Sequence, residues 1–89
     1  MLFLLTNRTR PNLSSTQYAE LAVLAKAFYA SMPADVKIRG EWAAIDRSCN
    51  FSLLEAPSIE AVRRIQAPFD PFTDTQIVAV AEIKGWVDT

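Results

Sequence analysis

Eighty-nine residues fit one domain, residues 1–89, whose core buries little over half of the surface the unfolded chain exposes, so a second copy is expected to add stability. Hydrophobic residues make up 51% and charged residues 21%, with nine basic and ten acidic side chains and a net charge of -1; no run of like charge exceeds Arg63-Arg64, which excludes the basic face that nucleic acid needs. No histidine and a single cysteine, Cys49, exclude an internal disulfide and leave no plausible zinc, haem or non-haem iron site, so neither a metal nor a cofactor is expected.

The opening "MLFLL" lacks a basic lead and is too short for a signal peptide or a membrane span. It reads as a first strand, Leu2 to Arg8, and the cytoplasm is the expected compartment. "TRPNLSS" then punctuates a loop. Ser14 and Gln17 stand in capping-box spacing and start a helix that Pro33 ends. Along it Tyr18, Leu21, Ala22, Leu24, Ala25, Phe28, Tyr29 and Met32 recur at steps of three and four, which predicts one broad buried stripe. Ala19, Val23, Ala27 and Ala30 occupy the other side, read as a solvated, alanine-rich face in preference to a second packing surface.

From Val36 to Arg47 polarity alternates, predicting a strand with Val36, Ile38, Trp42 and Ala44 on one face and Lys37, Arg39, Glu41 and Ile45 on the other. A polar turn at Arg47-Ser48-Cys49-Asn50 leads into a second hairpin strand, Phe51 to Ala56. Setting Asp46 opposite Phe51 places Ala44 by Leu53 and Trp42 by Glu55. Ser58 caps a short helix with Ile59, Val62 and Ile65 inward and Glu60, Arg63 and Arg64 outward, stopped by Pro68. Thr75 to Trp86 reads as the last strand, with Ile77, Ala79, Ala81 and Ile83 on one side and Val78, Val80 and Glu82 on the other.

Strand, helix, strand, strand, helix, strand is the order of a ferredoxin-like, α+β domain: two right-handed crossover units joined by a hairpin, with a four-stranded antiparallel sheet. Both helices cover one sheet face. The other face is also apolar, and the simplest cover is the same face of a second chain, so a homodimer forming an α+β barrel is expected.

On this plan the chain resembles the dimeric α+β-barrel superfamily of muconolactone isomerase-like and antibiotic-biosynthesis monooxygenase-like proteins, in particular its uncharacterised small bacterial members. The likeness is carried by "MLFLL", by "NFSLLEAPSIEAVRRI" from Asn50 to Ile65, by Pro71-Phe72-Thr73-Asp74, and by Gly40-Glu41-Trp42, Asp46 and the "LLE" ending at Glu55. It implies a pocket in each subunit between helices and sheet, often closed by the neighbour, and chemistry on small apolar or aromatic compounds. Members that use histidine have no counterpart here, so the fold carries over and an activity does not.

Among single residues, Glu55 beside Trp42 on an apolar face is the candidate acid/base group, because such surroundings raise a carboxyl pKa; a solvated strand-end glutamate is the preferred alternative. Asp46 is read as turn chemistry and Glu82 as a surface ion-pair partner of Arg8 or Lys84. Tyr18, Phe28, Tyr29, Trp42 and Phe51 are the candidate ligand-binding residues, although aromatic groups at regular spacing are more often plain core. Three readings follow: a small-molecule-binding dimer, a cofactor-free isomerase or monooxygenase-type enzyme using Glu55, and a structural dimerisation module.

Overall fold

The computed structural model describes residues 1–84. In chain order it comprises β1 (Leu2–Thr9), α1 (Ser15–Ala30), β2 (Lys37–Ala43), β3 (Asn50–Glu55), α2 (Ile59–Gln66), a 3-10 turn at Ala67–Phe69 and β4 (Thr73–Val80). The four strands form one sheet in the order β2-β3-β1-β4, every neighbouring pair antiparallel. This is the ferredoxin-like α+β arrangement that the order of elements predicts. No helix among the described residues is long and apolar enough to cross a membrane.

Local chemistry explains the element boundaries. Ser14 accepts from the Gln17 amide at 3.1 Å while the Gln17 side chain accepts from the Ser14 amide at 2.8 Å, the full reciprocal cap at the start of α1. Ser58 does half of this for α2, accepting from the Ala61 amide at 3.2 Å. Glu60 in the first turn and Arg63 and Arg64 in the last turn of α2 match the helix dipole. The 3-10 turn containing Pro68 follows directly, and β4 begins at Thr73 and ends at Val80, two residues earlier at its start than the alternation indicates. Glu82 lies beyond that strand and is in neither of the two ion pairs among the described residues, Arg10 with Asp74 and Arg39 with Glu55. Gly85 and Trp86, the expected end of β4, lie outside the described residues.

The largest departure from the sequence reading is the β2–β3 hairpin. Trp42 pairs with Phe51, Ala43 with Asn50 and Lys37 with Glu55, so Trp42 is not beside Glu55 and Asp46 is not in the ladder. Two features cause this. The connection is longer than a four-residue turn: it runs from Ala44 to Cys49, with the Ala44 amide bonded to the Cys49 carbonyl and the Arg47 amide to the Ala44 carbonyl. Arg47 takes a left-handed φ of 63°, and Asp46 Oδ1 accepts from the Ser48 amide at 3.0 Å, turn chemistry as read from sequence. Hydrogen bonding from Ser48 holds the Asp46 carboxyl below its ordinary range. Secondly, the register shifts between Ile38 and Gly40. This bulge reverses the alternation beyond it, sending Trp42 to the helix-free face and Glu41 to the helix side. Glycine lets the Trp42 ring lie close over the backbone there: a Cβ on Gly40 would lie 2.6 Å from that ring and the indole would have to shift.

The core gathers at one end of the helix-covered face. Phe3, Leu5, Leu54, Val36, Ala56 and Val62 form it, with Phe3 and Val62 fully buried, and Met32, Ile38, Ile59, Ile65 and Ile77 pack around it. Helix α2 therefore seats on the sheet through Val62. Helix α1 does not: it has no buried residue, and Tyr18 and Tyr29 are more than half exposed. The broad buried stripe expected for α1 is thus only half-buried, because an open cleft separates its middle from the sheet. The back of α1 is solvent-facing as expected, with Val23 68% exposed.

Two substitutions measure this division. Leu54→Ala, in the core, should cost about 2–5 kcal/mol in urea unfolding, and Ser14→Ala, which removes one cap of a loosely seated helix, about 1 kcal/mol.

Candidate functional site

Alternate residues of each strand share a face. On the helix side β1 presents Phe3 and Leu5 and then Asn7 and Thr9. The register sets Asn7 opposite Asn50 of β3 and Thr75 of β4, and Leu5 opposite Ser52 and Ile77. The helix-covered face therefore changes from apolar to polar halfway along every strand. Above the polar half α1 stands off, leaving a cleft of about 500 Å3. Leu21, Ala25, Phe28 and Tyr29 of α1 form its roof, Ile65 and Phe69 one wall, and Glu41, Ser52, Asn50, Asn7 and Thr73 its floor. Phe28 joins the roof to the wall, its ring edge-to-face with Phe69 at 5.8 Å and with Tyr29 at 5.3 Å.

The floor holds two polar groups of side chains. In the first, Gln66 Nε2 donates to Thr75 Oγ1 at 2.8 Å and to Thr73 Oγ1 at 3.3 Å, and Thr75 donates to Asn7 Oδ1 at 2.7 Å. Thr73 and Gln66 are buried. Their partners keep them satisfied, and the amide nitrogen of Asn7 and the side chain of Asn50 remain available at the cleft surface. In the second, Glu41 Oε2 accepts from the Tyr29 hydroxyl at 2.7 Å and from Ser52 Oγ at 3.4 Å. Desolvation of the Tyr29 hydroxyl, and then the bond to Glu41 and its charge, push the Tyr29 pKa up to about 12. The arrangement can hold an apolar or aromatic body against Phe28, Ile65 and Phe69 and meet one or two polar atoms at the floor. Among the described residues no three His, Cys, Asp or Glu side chains converge as a metal site requires.

Of the residues singled out from sequence, Phe28, Tyr29, Trp42 and Phe51 border the cleft and Tyr18 does not. Trp42 and Phe51 belong to the helix-free side of the sheet by register, so they border the cleft without standing on its floor. Glu55 lies away from it, on the helix-free face. Its Oε2 is 2.7 Å from Arg39 Nη2, and this bond holds the carboxyl below its ordinary range, the opposite of the raised pKa for which it was singled out. Sequence reasoning missed Asn7, Asn50, Gln66, Thr73 and Thr75. Their signal was present as the switch from Leu to Asn and Thr at alternate positions of β1, mirrored by Thr73 and Thr75 before Ile77. Glu41 had no such signal, because the bulge conceals its face.

Tyrosinate formation reports on the second polar group directly. The native state holds the Tyr29 proton more tightly than the unfolded chain, so the resulting stability is fully present below pH 10 and is lost as pH rises from 10.0 to about 12. Replacing Glu41→Gln should move the late phase of an ultraviolet absorbance titration to lower pH while leaving it above 10, since desolvation, the larger cause, remains.

The fold is shared with solved structures. Over 92% of this chain and 90% of the other, it superposes on muconolactone isomerase with a TM-score of 0.63 at 20% sequence identity. SCO4226 from Streptomyces coelicolor A3(2) superposes over 92% of this chain and 98% of that one, with a TM-score of 0.56 at 23% identity. The resemblance to muconolactone isomerase-like and uncharacterised bacterial proteins read from the sequence is thus met at the level of fold. No curated protein matches the chain. The family of domains of unknown function DUF3303 matches residues 1–89, and the chain belongs to that family.

Proposed function

We propose that this chain is a cytoplasmic homodimer that binds a small apolar or aromatic molecule in the cleft between α1 and the sheet. The cleft itself carries the reading: its volume of about 500 Å3 lies within the usual range of small-molecule sites, and mostly apolar walls over a few placed polar groups are the chemistry of such sites. Roof and wall are joined by the Phe28–Phe69 contact, so a ligand touching Phe28 would tie α1 to the rest of the fold.

The dimer is supported by the helix-free face. Register places Leu2, Leu4, Phe51, Leu53, Val78 and Val80 together there, with Trp42 at the β2 edge. Val78 is 52% and Trp42 56% exposed in the lone chain, an apolar patch that a second sheet would cover. A buried, unpaired Cys49 suits a reducing compartment such as the cytoplasm.

The Glu41–Tyr29 pair favours a second reading, a cofactor-free isomerase or monooxygenase-type enzyme, in which a carboxylate and a phenol share a proton inside the cleft. In that reading Glu41 and not Glu55 is the acid/base group, since Glu55 meets Arg39 on the other side of the sheet.

Thermal-shift screening with neutral aromatic compounds tests the first reading: at saturating ligand the melting temperature should rise by several degrees, and Phe28→Ala should weaken the effect about tenfold or more. Ligands that leave the melting temperature unmoved would favour a purely structural module. For the assembly, light scattering should give twice the chain mass, and Val78→Glu should reduce it to a single chain with an unchanged circular dichroism spectrum. A wild-type monomer at micromolar concentration contradicts the dimer.

A further inference from the structure

We propose that the cleft selects a ligand whose polar group is a protonated amine on an apolar or aromatic body, and that it discriminates against carboxylates. This rests on the cleft being a binding site, and it names the class of ligand for that site.

The charge of the lining decides it. Among the described residues Glu41 is its sole charged side chain, and no lysine or arginine lines the cleft. All nine basic residues of the chain fall within the described part, and none pairs with Glu41: the ion pairs are Arg10 with Asp74 and Arg39 with Glu55. An ionised carboxylate at the floor therefore has no counter-charge from this chain. Its Oε2 is occupied by Tyr29 and Ser52, whereas Oε1 receives no hydrogen bond among the described residues, which leaves a free charged acceptor on an exposed side chain that lines the cleft. Beside it the Phe28 and Tyr29 rings meet edge-to-face, a setting in which an ammonium group gains from both the carboxylate and an aromatic face. The remaining floor groups, Asn7, Asn50 and Thr73, are neutral and offset no negative charge on a ligand. A carboxylate ligand placed against the same floor would meet Glu41 with nothing to screen the repulsion except water.

The test compares three probes of one shape: 2-phenylethylamine, 2-phenylethanol and phenylacetate. Each is titrated into the intact protein at pH 7 and low salt, with affinity and location read from amide chemical shifts. The amine should bind roughly tenfold tighter than the alcohol, the acid should bind weakest, and the shifts should centre on Glu41, Ser52 and Phe28. Glu41→Gln should remove the advantage of the amine, so that amine and alcohol bind within about twofold of each other, and added salt should weaken the amine most in the unsubstituted protein. An acid that binds as well as the amine, or an amine preference that survives Glu41→Gln in a protein with native chemical shifts, overturns the inference while leaving the cleft as a binding site. If none of the three binds at millimolar concentration, the cleft reading fails and the selectivity falls with it.

Discussion

The structure depends on where the helix-covered face of the sheet stops being apolar. Phe3 and Leu5 on β1, Leu54 on β3 and Ile77 on β4 support a dry core that α2 closes with Val62. One alternate position further along, the same face presents Asn7, Ser52 and Thr75, which are joined to side-chain partners and cannot be covered by a close-packed helix without loss of hydration. Helix α1 spans both halves. Met32, just past its end, reaches the core, and the helix itself remains raised over the polar floor with no buried residue. The cleft is thus the geometric result of laying one straight helix across a surface of two chemistries.

A second constraint acts at the edge strand. The bulge at Gly40 adds one residue to β2 and exchanges the destinations of its two most chemical side chains. Without it Glu41 would point to the helix-free face and Trp42 into the helix layer. With it, the carboxylate stands in the cleft against Tyr29, and the indole lies over Gly40 on the face that the Leu2, Leu4, Val78 and Val80 side chains share. One backbone irregularity therefore gives the cleft its charge and adds aromatic surface to the opposite side.

Most of the fold was legible in the sequence because it rests on short-range signals. The Ser14–Gln17 cap, the Ser58 cap and the alternation of β1 and β4 each have local causes, and together they dictate the order of elements. Register was not legible, because it depends on Arg47 adopting a left-handed conformation in the hairpin and on the shift between Ile38 and Gly40, and neither leaves an unambiguous mark in sequence, although the turn chemistry of Asp46 does. The error propagates to chemistry: a register with Trp42 opposite Glu55 gives that carboxylate an aromatic neighbour, whereas Lys37 stands opposite it and Arg39 pairs with it. Phe28 and Tyr29 were found from helical spacing, whereas Gln66, four residues after the inward-facing Val62, looked like an ordinary helix end until the fold brought it against Thr73 and Thr75.

The central claim is that the space beneath α1 is open, and the stability of Ala25→Trp measures it most directly. A tryptophan projecting from the roof into an open cleft would fill it with apolar surface, leaving the denaturant midpoint unchanged or raised with native secondary structure retained. If α1 instead packs tightly on the sheet in solution, the added ring would have no room, and the same variant would lose about 1–3 kcal/mol to overpacking, which would contradict the account.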